Sequence, residues 1–205
     1  LSPNLSAQVN AQKGIQSLGD DVFLNPYTVS AARYAAGAVL TAIDELEHGH
    51  VKRAFCNVRP PGHHAEYDAP QGFCVFNNVA IGAAYARAHT SMQRIAIVDF
   101  DVHHGNGTED FAQRQPWVWF GSSYEEPIYP FASATTADPS RICKMPLPSY
   151  SGSEAFRQVW QAQGLPALRA YQPDLILISA GFDGHALDPM ANLRLHETDY
   201  AWITT

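Results

Sequence analysis

The stretch Arg94-Ile95-Ala96-Ile97-Val98-Asp99-Phe100-Asp101-Val102-His103-His104-Gly105-Asn106-Gly107 decides the fold. Its first half is a short apolar run, the mark of a strand buried on both faces. The second half places two aspartates and two histidines directly beyond that strand. Leu175-Ile176-Leu177-Ile178 repeats the pattern, running into Ser179-Ala180-Gly181-Phe182-Asp183-Gly184-His185. Trp117 to Phe120 reads as a further buried strand. Apolar strands that alternate with helical segments indicate a parallel sheet covered on both sides, an α/β architecture. In open sheets of this kind ligands bind at the C-terminal strand edge, where these polar clusters fall.

Outward from these strands, Ser30 is a candidate cap for a helix over residues 30–47. Its alanines (Ala31, Ala32, Ala35, Ala36, Ala38) suit close packing. Residues 52–57 read as a short strand, before the stiff loop Arg59-Pro60-Pro61-Gly62. Residues 74–89 read as a second helix, Thr108 as the cap of a short one to Gln113, and residues 153–171 as a helix interrupted at Pro166. The chain opens on Leu1-Ser2-Pro3-Asn4 with no strand and ends on the apolar, helix-like residues 200–205. The expectation is one domain over residues 1–205 that lacks N-terminal and C-terminal portions.

With 205 residues, 46% hydrophobic and 16% charged, the chain can bury a core of its own. Its net charge of −7 gives no basic surface for nucleic acid. No apolar run reaches the length of a membrane span. Cys56, Cys74 and Cys143 form no CxxC pair and no even set, so a reducing compartment is expected.

Asp101 and His103 offer an oxygen and a nitrogen to one metal ion, with Asp99 on the same side if the backbone stays extended. Mixed O/N ligation suits zinc and other borderline metals. Asp183, just past the Leu175–Ile178 run, is a natural third ligand, which leaves a position open for water and substrate. Asp188-Pro189 reads as a turn, and His185 as a hydrogen-bonding neighbour of the site or a surface histidine. His63-His64 follow the proline loop, and imidazole is the group that moves protons near neutral pH. Gly72-Phe73-Cys74-Val75-Phe76-Asn77-Asn78 bring aromatic rings to the start of a helix, where Phe76 reads as ordinary core. Glu125 and Glu126 are a candidate acidic rim or a solvated pair.

These motifs, in this order, resemble the histone deacetylase and acetylpolyamine amidohydrolase family. The stretches that match are residues 59–65, 72–78, 98–108, 121–130 and 178–190, and the likeness runs from the helix near Ala31 to Thr204. It implies the arginase/deacetylase fold, a three-layer α/β arrangement whose parallel sheet carries one zinc at its C-terminal edge. It implies Asp101, His103 and Asp183 as zinc ligands and His63 and His64 as the tandem catalytic histidines. Asp99 would pair with His63. Asn106 would lie near His64; some relatives have aspartate there, and asparagine at this place resembles the class II-type branch. An uncharged partner favours protonated His64 less than a carboxylate would. Gly72 and Phe73, with Tyr129 and Met190, would line an acyl-lysine tunnel.

The implied reaction is zinc-dependent amide hydrolysis of acetylated lysine in proteins, with acetylpolyamines or other small acylated amines as the competing substrates. A non-catalytic zinc-binding module is the reading of another class. The resemblance further implies a structural potassium near the 101–103 loop and Ser122, a cytoplasmic or nuclear location, possible oligomers, and no direct nucleic-acid or membrane partner. Arginase-like enzymes hold two manganese ions. Gly105 and His185 stand where two of their aspartates would be, which favours the one-metal reading. The family's Ser-x-His is replaced by Ser122-Ser123-Tyr124. The loop with the oxyanion-stabilising tyrosine is expected beyond Thr205, and the early rim loop before Leu1.

Overall fold

The computed structural model describes residues 14–19, 21–131 and 138–205. The opening residues 1–4 lie outside that set. The chain forms two compact units. One is built from the described residues of Leu1–Gln93 with Asn106–Arg114, the other from Arg94–Gly105 with the described residues of Gln115–Thr205.

In the first unit, β1 (Gln16–Ser17) and β2 (Phe23–Leu24) make a short antiparallel ribbon. Helix α1 (Thr28–Glu47) starts two residues before the expected cap. A turn at Asn25 leads into it: the Asn25 N–H donates to Thr28 Oγ1 at 2.9 Å, and its Oδ1 accepts from Tyr27 N–H at 2.8 Å. Ala32, Ala35, Ala36, Val39 and Ile43 recur at helical spacing as the buried stripe. Small residues also form the buried side of α2 (Asn78–His89), namely Ala80, Gly82, Ala83 and Ala86. The Tyr85 hydroxyl ties α2 to α1 by donating to Asp44 Oδ1 at 2.8 Å.

Helix α2 begins after Asn77, not at Cys74, because the Asn77 side chain accepts from Ala80 N–H at 3.0 Å. Its amide nitrogen donates to Thr108 Oγ1 at 3.2 Å, on α3 (Asn106–Arg114). Thr108 is therefore a buried member of that helix and not its cap. Residues 52–57 form no strand. Lys52 and Arg53 are exposed, Phe55 is 73% exposed, and no ladder partner lies beside them among the described residues.

The second unit holds a four-stranded parallel sheet in the order β5-β4-β3-β6. Its strands are β3 (Ile95–Asp99), β4 (Val118–Glu126), β5 (Ile142–Pro148) and β6 (Leu175–Ser179). Ala96 and Val98 face a core with Trp119, Met145, Leu147, Phe156 and Trp160. Strand β4 runs well past the expected end at Phe120 because Ser122 and Ser123 are buried ladder residues. In β5 the strand pattern is masked by Pro146 and Pro148, which an edge strand tolerates. Strand β6 does not meet the expectation of burial on both faces: Ile176 and Ile178 are 47% and 37% exposed. Among the described residues it pairs only with β3.

The segment expected to break at Pro166 instead runs from α4 (Ser153–Val159) through a π-helical turn at Trp160–Gly164 into α5 (Leu165–Tyr171). Pro166 directly follows the π-helical turn; it lacks the N–H that would continue the ladder, and the wider turn before it accommodates the ring without ending the helix. The last element, α6 (Glu197–Ile203), docks through Arg157 of α4, whose Nε donates to the buried Asp199 carboxylate at 2.8 Å. No described helix is long and apolar enough to cross a membrane.

Candidate metal centre and tandem histidines

Strand β3 ends at Asp99, and the chain then bends, so extended alternation does not align the next side chains. Carboxylates do so instead. Asp101 N–H donates to Asp99 Oδ1 at 3.1 Å, and His103 N–H to Asp101 Oδ1 at 2.8 Å. These are Asx turns, local bonds that fold an aspartate back onto its own backbone. Val102 N–H donates to Asp183 Oδ1 at 3.0 Å, which ties the loop after β6 to the loop after β3.

The result is a convergent donor set. His103 Nδ1 lies 3.1 Å from Asp101 Oδ1 and 3.0 Å from Asp183 Oδ2. Donor–donor edges around a tetrahedral zinc with bonds near 2.0 Å are roughly 3.3 Å; the two His103 edges match this, and all three donors lie within 4.8 Å of one another. Gly181 presses so close to Asp101 that a Cβ there would overlap its carboxylate. Burial opposes charge on His103, but hydrogen bonds to Asp101 and Asp183 outweigh it and push its pKa up to about 10. Burial and the neighbouring Asp101 charge raise Asp183, against the His103 and Val102 hydrogen bonds. The two carboxylates thus flank one imidazole nitrogen.

Among the described residues a second group, His185, His196 and Glu197, also brings donors together. Its chemistry fits a metal poorly. His185 Nδ1 accepts from Leu187 N–H at 3.1 Å, so the ring proton sits on Nε2, 3.6 Å from Glu197 Oε1. That nitrogen has no lone pair for an ion unless the turn is broken. Nor does His185 hydrogen-bond to the first donor set, as its sequence position had suggested.

Around the first set, Tyr129 meets His103 edge-on with ring centroids 6.3 Å apart. Met190 is 60% exposed, and its N–H donates to Asp188 Oδ1 at 2.9 Å in the expected Asp-Pro turn. Ser122 is paired in register with Asp99 and shares a hydrogen bond of 3.1 Å with the buried His104. The acidic rim is corrected at Glu125, which is 1% exposed. It accepts from Ser149 Oγ at 2.6 Å and from Asn192 N–H and Nδ2 at 2.8 Å. Burial alone would raise its pKa; these bonds hold it below the ordinary range.

In the first unit, the tandem histidines are both buried, with ring centroids 4.0 Å apart. Thr108 N–H donates to the His63 carbonyl at 3.1 Å, fixing the backbone of the pair on α3. His64 Nδ1 lies 2.7 Å from Asn106 Oδ1. Asn106 Nδ2 in turn donates to Glu66 Oε1 at 2.7 Å. Glu66 is a residue that motif reading passed over; an acidic side chain two positions after the histidine pair was the available signal. Gly72 has φ +53, and a Cβ there would overlap the His64 ring. Both Asp21 carboxylate oxygens lie 3.1 Å from its N–H. Phe73 follows with φ 64 and is 56% exposed. Phe76 packs against the small core of Val22, Leu24, Ala32 and Val75.

The histone deacetylase domain model matches residues 3–205 of this chain. A type-2 histone deacetylase from Dictyostelium discoideum is 42% identical over 202 residues, covering 90% of this chain and 12% of that protein. The solved HD domain of HDA15 superposes with a TM-score of 0.93 at 31% identity, covering all of this chain and 62% of that one. An acetylpolyamine aminohydrolase from Burkholderia pseudomallei gives a TM-score of 0.81 at 29% identity, over 89% of this chain and 54% of that one. The chain spans less than two thirds of the length of each. Its parallel sheet and these likenesses identify an arginase/deacetylase-like α/β fold, and the chain belongs to the histone deacetylase domain family.

Proposed function

We propose that this chain carries the metal and proton-transfer groups of a zinc-dependent deacylase that hydrolyses the amide of acetylated lysine side chains in proteins. The observation that carries this reading is the Asp101–His103–Asp183 donor set, with edges of 3.0 and 3.1 Å and one nitrogen between two carboxylates. Those three residues would hold the ion. When bound, zinc polarises the amide carbonyl and lowers the pKa of a water. His64 takes the proton of the attacking water, and a protonated histidine of the pair gives one to the leaving amine. Asp99 is assigned to His63 as its carboxylate partner. Gly72 and Phe73 are assigned to the acyl-lysine chain, as are Tyr129 and Met190. A structural potassium is assigned near the 101–103 loop and Ser122.

Acetylated polyamines are the competing substrates. Their hint in the sequence was an acidic rim, and burial of Glu125 removes half of it. The test is acetate release by the full-length protein from an acetyl-lysine peptide and from acetylspermidine, at equal concentrations. A higher kcat/KM on the peptide supports the reading. Preference for the polyamine overturns the substrate class, and no turnover with zinc bound overturns the activity.

A further inference from the structure

An asparagine amide has two faces. One offers a carbonyl oxygen, the other an NH2 group, and a half-turn exchanges them. Whatever holds Asn106 in one orientation therefore decides which nitrogen of His64 carries the proton. Asn106 Nδ2 donates to Glu66 Oε1 at 2.7 Å and lies 3.4 Å from Gln71 Oε1. Gln71 can turn its own amide to suit either face. Ionised Glu66 can only accept, so the reversed amide would set Asn106 Oδ1 against a carboxylate oxygen at hydrogen-bond distance. With Nδ2 committed to Glu66, Oδ1 must face His64, and it does so at 2.7 Å. The proton of neutral His64 then sits on Nδ1, which leaves Nε2 as the accepting nitrogen.

We propose that Glu66 is a positioning residue that selects, through the amide of Asn106, the His64 tautomer able to act as general base. This deepens the proposed function and rests on its use of His64. The arrangement has a physical merit over a carboxylate bonded directly to the imidazole. The negative charge stands one amide away, so it fixes the ring's orientation and tautomer while favouring the imidazolium less. Glu66 is half-buried, as is Asn106, so the bonds are shielded enough to hold.

The test is a pair of substitutions in the full-length protein and their combination. Glu66→Gln removes the obligatory acceptor and frees Asn106 to turn; kcat should fall about tenfold, with KM and zinc content unchanged. Asn106→Asp alone opposes two carboxylates and should also lower kcat. In the double variant the introduced aspartate accepts from His64 with either oxygen and from the introduced amide, so kcat should exceed that of both singles. Losses that simply multiply would overturn the proposal. Nitrogen NMR of the His64 imidazole in metal-free protein reads the tautomer without any activity: Nδ1–H in the wild type, mixed in Glu66→Gln. An unchanged tautomer in that variant overturns the selection by Glu66. Absence of turnover in the wild type would instead count against the proposed function and leave the NMR result to decide this one.

Discussion

Single atoms decide the proposed metal centre. Asp183 contributes one oxygen to the donor set and the other to Val102 N–H. Asp183→Ala should therefore abolish stoichiometric zinc binding, whereas His64→Ala should keep the metal and lose turnover by a factor of about 10² or more. Metal analysis beside acetate release separates the two. Gly181 is a finer probe. A methyl group there would displace the Asp101 carboxylate, so Gly181→Ala should weaken zinc at least tenfold with an unchanged circular dichroism spectrum. Gly72→Ala acts on the other unit: its φ of +53 and its closeness to His64 mean lower kcat and about 1 kcal/mol of lost stability, read by thermal melting.

The residues of the donor set were legible in the sequence, because aspartate and histidine directly past an apolar strand have few other uses. The means of alignment was not. Asx turns depend on which backbone N–H each carboxylate reaches, and residue order alone does not state that. The Glu66–Asn106–His64 chain was half legible for the same reason: Asn106 came from the motif, whereas an acidic residue two positions after the histidine pair does not by itself state which amide it holds.

At the scale of elements, the strands read from apolar runs correspond to β3, β4 and β6, and the helices to α1 and α2, with shifted ends. The shifts trace to local side-chain bonds. An Asx turn at Asn25 precedes α1, and the Asn77 cap fixes the start of α2, so neither helix begins at the residue that composition suggests. Strand β5 escaped because two prolines mimic a loop, and residues 52–57 misled because strand-like composition cannot supply a pairing partner. Asn77→Ala should cost about 1 kcal/mol or more, since it removes both a cap and the bond to Thr108.

Asp199, fully buried beneath α4, has its pKa lowered: burial opposes this, and Ser153, His196 N–H and Arg157 outweigh it. A depressed carboxyl contributes stability above its unfolded pKa near 4 and loses it as pH falls through the folded value. Asp199→Asn should therefore melt lower than wild type at pH 7, and the difference should shrink as the pH falls below about 4. A constant difference across that range would argue against the assignment.

For the molecule as a whole, the family and the fold set the frame. A net charge of −7 suits cationic substrates such as lysine-rich tails or polyamines and does not separate them. What separates a working metal site from a vestigial one is linkage. An ion that binds only the folded chain raises its stability by about 2.7 kcal/mol at a hundredfold excess over Kd. Zinc should raise the melting temperature of the wild type and leave Asp183→Ala unmoved.

The most direct measurement is zinc content per chain, taken with acetate release from an acetyl-lysine peptide, on full-length protein and its Asp183→Ala and His64→Ala variants. The expected result is one zinc in the wild type and in His64→Ala, none in Asp183→Ala, and turnover in the wild type alone. Equal zinc in wild type and Asp183→Ala, or undiminished turnover without His64, would contradict the account.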